Sequence, residues 1–376
     1  MHRRHPTYLI AVFSMAVFAL TASCGRRNDG QSAAGENTAT PAVEAKNVAA
    51  ADGYGPEDGA VNAVAFWTHP TLPFAGMLIA VTNNGLESFN IENGEPVGNT
   101  AVKNASAIAV FYEGEGPTAQ GYAVALTNGG YEIFAIDNIS RALDPIDASM
   151  TGKPAKSFCL AKRNGSEAII ELSSEKISAR PIEIVGDTAT IGDAHKIADL
   201  NAPAACFSDP RNSALFIISD DGAIRRFDDG SDKPFGVALP SGIKVGGVAA
   251  AFNMGAENAE TPAGQIAILN DADGVIRLFD ETSGELLGAV KVSATFDLDA
   301  VVSAHAIAIG SANFGGVYRD GMLAVVTKEE GAPIRLVPWN GVMDALGEQL
   351  GGVFNPREPH GPQPDAPLID IEIKQP

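Results

Sequence analysis

Leu78-Ile-Ala-Val-Thr-Asn-Asn-Gly-Leu-Glu-Ser-Phe89 decides the fold of this chain: a four-residue apolar run, a polar turn ending in glycine, and a second strand closing on an aromatic ring. The run is too short for a helix. Asn-Gly is the chemistry of a tight hairpin, because both residues reach positive φ at little cost. The same pattern returns in Ala123-Val-Ala-Leu-Thr-Asn-Gly-Gly-Tyr-Glu-Ile-Phe134 and in Leu215-Phe-Ile-Ile-Ser-Asp-Asp-Gly-Ala-Ile-Arg-Arg-Phe227. It recurs in Ile266-Ala-Ile-Leu-Asn-Asp-Ala-Asp-Gly-Val-Ile-Arg-Leu-Phe279 and in Leu323-Ala-Val-Val-Thr-Lys-Glu-Glu-Gly-Ala-Pro-Ile-Arg-Leu336. A weaker copy is Ala168-Ile-Ile-Glu-Leu followed by Lys176-Ile-Ser-Ala-Arg.

The copies start at 78, 123, 168, 215, 266 and 323, in steps of 45, 45, 47, 51 and 57. Steps of roughly 40–50 residues that each carry a hairpin and its connecting strands are the signature of a β-propeller. One blade cannot bury both its faces, and stacking around an axis does that for every copy at once. The expected fold is therefore all-β, a six-bladed propeller. Further strands are expected at Ser106–Tyr112, Gly246–Phe252, Leu286–Val292 and His305–Gly310, with a closing strand at Leu368–Ile373. Two β-sandwiches, the alternative, leave the even spacing without a cause.

The chain opens with His2, Arg3, Arg4 and His5, then an apolar stretch from Tyr8 to Leu20 broken by Ser14. That is the length of a signal-peptide core and short for a membrane span. Leu20-Thr21-Ala22-Ser23-Cys24 resembles the lipobox of bacterial lipoproteins, in which small residues precede a cysteine that receives a diacylglycerol. The resemblance implies cleavage after residue 23, lipidation of Cys24, and a membrane partner held through that anchor. It implies an exported chain in the cell envelope, and Gly25 after the cysteine favours the outer membrane. Residues 24–56 are small and polar, too poor in apolar surface to offset their ordering entropy, and are expected to form a tether. The propeller is expected over residues 57–376.

A formal charge of −20 repels polyanions, so nucleic acid is excluded as a partner. Of three cysteines, Cys159 and Cys206 remain in the expected domain; the compartment permits a disulfide between them, and the favoured reading is two small buried apolar residues. No spacing of Cys and His suits zinc, and no nucleophile elbow, P-loop or dinucleotide fingerprint occurs.

Asn62-Ala-Val-Ala-Phe-Trp67-Thr-His69-Pro70 and Ile334-Arg-Leu-Val-Pro-Trp339 resemble the opening and closing motifs of the β-propeller phytases. Asn83-Asn84-Gly85-Leu86 and Ser219-Asp220-Asp221-Gly222-Ala223-Ile224 fall at corresponding hairpins, so the likeness spans roughly residues 57–350. Those six-bladed 3-phytases use calcium ions, held by carboxylates in one channel mouth, to release phosphate from inositol hexakisphosphate. The resemblance implies calcium as the cofactor. Yet Asn62, Ala63, Ser106, Ile108, Ala204, Gly246 and Thr327 stand where the family carries ligand or phosphate-binding residues, and Asn83 replaces a hairpin lysine. What remains as candidate metal ligands is Asp220 and Asp221, with Asp271 and Asp273 in the next turn. Lys162 and Arg163 are the candidate phosphate-binding cations.

Asp before Gly is also ordinary hairpin chemistry. His69 and His305, each alone, read as structural, and Trp67 and Trp339 as packing between blades. The expected function is a catalytically degenerate phytase-like lipoprotein that binds a small anionic ligand or a protein. The alternative is a calcium-dependent phosphomonoesterase with a remodelled site.

Overall fold

The computed structural model describes residues 43–56, 59–228, 231–236, 239–240, 242–254, 264–329 and 332–361. Cys24, the signal sequence and the expected strand Leu368–Ile373 lie outside them, as do Asp229 and Gly230.

The fold is all-β, and its unit is the antiparallel meander. Val61–Trp67, Met77–Thr82, Gly85–Asn90 and Pro96–Thr100 form the first, each strand hydrogen-bonded to the next. The hairpin read from Leu78 to Phe89 is its middle pair, with Thr82 opposite Gly85. Pro203–Ser208, Leu215–Ser219, Ile224–Asp228 and Ser231–Pro234 repeat the plan. A nine-stranded sheet contains two meanders, joined where Leu143–Met150 pairs in parallel with Thr188–Ile191. The weak copy at Ala168 is a full hairpin there, Ser166–Ser173 against Lys176–Val185.

Successive meanders pack face to face. Trp67, Ile79 and Leu86 of the first meet Ala123, Ala125 and Phe134 of the next. Phe207, Phe216 and Ile218 meet Ile266, Ile268 and Phe279 further along the chain. Val64, Leu78 and Phe89 of the first also share a cluster with Ala324, Ile334 and Leu336 of the last, so the series closes on itself. The first strands of the meanders touch one another in the same cyclic order and line the axis. This is a β-propeller. Crowding at the axis explains why those strands are rich in Ala and Gly: a Cβ on Gly247 would lie 3.1 Å from the Ile307 nitrogen of the neighbouring strand. Gly121 answers a similar demand, since a Cβ there would collide with Trp67 Nε1. Trp67 is fully buried and Trp339 nearly so, as expected of packing residues.

Three expectations change. Residues 46–54 belong to the sheets and not to a tether. Lys46–Ala49 pairs in parallel with Leu286–Ser293, and Asp52–Tyr54 completes the last meander against Ile334–Pro338. Tyr318 donates a 2.6 Å hydrogen bond to Asp52 that fixes this closure. The polar composition misled because an edge strand draws its hydrogen bonds from a partner and needs little apolar surface of its own. Second, Cys159 and Cys206 form a disulfide, with Cα atoms 5.7 Å apart on the axial strands of adjacent meanders. Forty-seven residues separate them in sequence, and only the ring brings them together. Third, the all-β fold carries a short α-helix among the described residues: Trp339–Leu346 follows the last hairpin and ends on Gly347 in the left-handed conformation.

Candidate functional site

The axial strands run in one direction, so the ring has two distinct mouths. One carries the turns between second and third strands and the starts of the axial strands. Pro203 lies opposite Ser219, and Val245 opposite Asn270. The other carries the ends of the axial strands.

The four candidate calcium ligands lie in turns at the first mouth. Asp221 Oδ1 accepts the Ala223 N–H at 3.0 Å, and Asp273 Oδ1 accepts that of Val275 at 3.0 Å. Both brace their own turns, whose Gly222 and Gly274 have φ of 83° and 67°. Asp271 is held by cations. Lys244 Nζ lies 2.6 Å from one carboxylate oxygen and Lys328 Nζ 3.5 Å from the other. The Lys244 hydrogen bond, helped by Lys328 and opposed by slight burial, holds its carboxyl below the usual range. Ser106, Ala204 and Gly246 stand on or beside the nearby strand starts and bring no carboxylate. A calcium ion requires several oxygens free to turn inward, and two ammonium groups beside the best carboxylate oppose it. Among the described residues no group of three His, Cys, Asp or Glu side chains is placed to hold a metal. The donor set does not fit the ion.

Lys162 and Arg163 are not at this mouth. They end the axial strand Ser157–Arg163, at the opposite one. The four acids and these two cations therefore stand at opposite ends of the ring. Sequence order hides strand direction, and only the register reveals which end a residue occupies.

The opposite mouth holds a cavity of about 250 Å³ walled by Phe66, Phe111, Leu160, Ile309, Phe314 and Phe354. Thr68, Tyr112, Lys162, Glu167, Ser208 and Ser311 supply its polar groups. A groove of about 450 Å³ adjoins it, sharing Tyr112, Lys162 and Glu167 and adding Glu113 and Glu183. Glu167 sits opposite Lys162 in the hairpin register. Loss of water around its carboxyl raises its pKa to about 7 against the opposing pull of Lys162. Among the described residues its carboxylate has no hydrogen-bond or ion-pair partner.

The chain after the helix closes this mouth. Gly352–Val353 pairs with the end of Val245–Met254, and Phe354 packs on Phe252 at 5.5 Å between ring centroids. Arg357 is 1% exposed. Its Nε donates to the Thr68 carbonyl at 2.8 Å, Nη1 to the Ala119 carbonyl, and Nη2 to Asn138 at 3.3 Å. The guanidinium also lies 4.7 Å from the Tyr112 ring centre and 5.4 Å from that of Trp67. Sequence reading missed Arg357 and Glu167 alike. Asn355-Pro356-Arg357 follows the last repeat without a motif, and Glu167 reads as a solvated hairpin charge.

The remaining candidates are structural. His69 Nδ1 accepts the N–H groups of Thr71 and Leu72 at 3.2 and 3.0 Å, and burial lowers its pKa. His305 Nε2 bonds the Val61 carbonyl at 2.7 Å, tying the last axial strand to the first. Arg211, clamped to Asp209 at 2.8 Å and bonded to Glu281, joins two meanders. Burial, reinforced by Asp209, raises the pKa of Glu281.

Comparisons with protein-family models and with curated proteins find no match. Among solved structures, the C-terminal WD40 domain of Sif2 is similar at 11% identity and a TM-score of 0.36, over 74% of this chain and 69% of that one. Kluyveromyces lactis Hsv2 is similar at 14% identity and a TM-score of 0.34, over 72% of each chain. The fold assignment rests on this chain's own meanders and their closure.

Proposed function

We propose that this chain is a six-bladed, phytase-like propeller that has lost metal-assisted catalysis and works as a lipid-anchored binding module of the cell envelope. The carrying observation is the engagement of Asp271 by Lys244 and Lys328 beside strand starts that bear Ser106, Ala204 and Gly246. Most of the family's carboxylate positions are replaced, and Asp271 is already paired with two ammonium groups. The blade count is supported by the repeat spacing and by the cyclic contacts of the axial strands. Export is supported by the Cys159–Cys206 disulfide, since such bonds persist in oxidising compartments. The Cys24 lipobox supports the anchor.

The test is phosphate release from phytate by the purified protein, with millimolar calcium and with chelator. No release in either condition, and no calcium-dependent rise in melting temperature, is the expected result. Calcium-dependent turnover would overturn the reading and restore a phosphomonoesterase that uses Asp220, Asp221 and the neighbouring turn acids.

A further inference from the structure

We infer that the cavity at the mouth opposite the acidic turns is a binding site for a small organic amine with an apolar body. The inference rests on the binding-module reading but concerns the other end of the ring, so the two fail separately. Apolar side chains make up most of the cavity wall, a surface that gains by excluding water around an aromatic or branched body. Polar groups are few, and Lys162 and Glu167 are the charged ones among them.

Glu167 selects the head group. A carboxylate withdrawn from water normally has a cation or several N–H donors as partners, because removing the charge from water is costly. Among the described residues half-buried Glu167 has no partner within bonding distance; Lys162, opposite it in the hairpin, acts only through space, and desolvation outweighs that pull. A ligand ammonium would supply both the charge and the donors, as a charge-assisted hydrogen bond. The surroundings agree in sign. Lys162 and Arg163 stand on Glu167's own hairpin, while Glu113 comes from the neighbouring axial strand and Glu183 from the next strand of the meander. Of these, Glu113, Lys162, Glu167 and Glu183 line the groove, three acids against one lysine. An amine is therefore favoured over the anionic ligand that the sequence alone suggests.

Three probes of one shape decide the matter by calorimetry on the purified protein: 2-phenylethylamine, phenylacetate and 2-phenylethanol. The amine is expected to bind tightest, by about tenfold or more over phenylacetate, the scale of one charge-assisted hydrogen bond. Its affinity should rise from pH 5.5 to pH 8 as Glu167 ionises. Glu167→Gln should remove both the preference and the pH dependence without lowering the melting temperature. Lys162→Met should leave amine binding intact or tighter. Phenylacetate binding as well as the amine would overturn the inference, as would full amine affinity in Glu167→Gln or its loss in Lys162→Met. Phosphate release from phytate would instead strike the proposed loss of catalysis and leave this site untouched.

Discussion

At the turn-bearing mouth, Asp221 and Asp273 answer to their own backbone N–H groups and Asp271 to two lysines. At the opposite mouth Glu167 is half-buried beside a cavity with no such partner. The same axial strands build both ends. The difference comes from the segments that border each mouth: short hairpins that satisfy themselves on one side, and a C-terminal stretch latched by Arg357 on the other. A count of acids along the sequence points to the first mouth. Asking which acid among the described residues is both sheltered and without a bonded partner points to the second.

The joint beneath both mouths gives the largest expected effect. Cys206→Ser opens a loop of 47 residues, and chain entropy for such a loop amounts to about 4 kcal/mol. Chemical denaturation should show a loss of that order. A loss below about 1 kcal/mol would mean that the blades hold without the bridge.

Next comes a direct contrast of the two ends. Arg357→Ala leaves the Thr68 and Ala119 carbonyls without their buried donor and exposes the Tyr112 and Trp67 faces, at about 3 kcal/mol. Asp271→Asn breaks pairs whose lysines are 75% and 62% exposed, so solvent screening should limit the loss to below about 1 kcal/mol. Equal losses would erase the distinction between a latched mouth and a self-satisfied one.

The smallest effects lie in pH. Glu167 has a raised folded pKa, so the native state holds its proton more firmly than the unfolded one. Its contribution is full below the unfolded value near 4.5 and is lost as pH rises toward 7. Glu167→Gln should flatten that slope in a series of melting curves. Asp271, with its pKa lowered, acts in the opposite sense and loses its contribution as pH falls below the usual carboxylate range. A wild-type stability that rises between pH 5 and 7, and keeps that rise in Glu167→Gln, would remove Glu167 from the account.

The blades were legible because their information is local. A run such as Leu78 to Phe89 contains both strands and the turn between them, with alternation and turn chemistry in agreement. What escaped was whatever depends on distant partners. Lys46–Ala49 and Asp52–Tyr54 take strand form from Leu286–Ser293 and Ile334–Pro338. Cys159 meets Cys206 because two blades are neighbours. The candidate acids were located in their turns, but whether a lysine stands beside Asp271 depends on Lys328, a blade away. Glu167 carries no mark of its own; its shelter from water is made by the strands around it.

The closure of the ring also sets a schedule. Lys46–Ala49 and Asp52–Tyr54 leave the ribosome early, yet their partners lie beyond residue 285. Both segments therefore wait for partners until Leu286–Ser293 and Ile334–Pro338 have been made. Contacts of such long sequence separation are slow to form, because loop entropy is lost before the pairing is gained. Contact separation thus places the pairing of these early strands among the slow events of folding this ring.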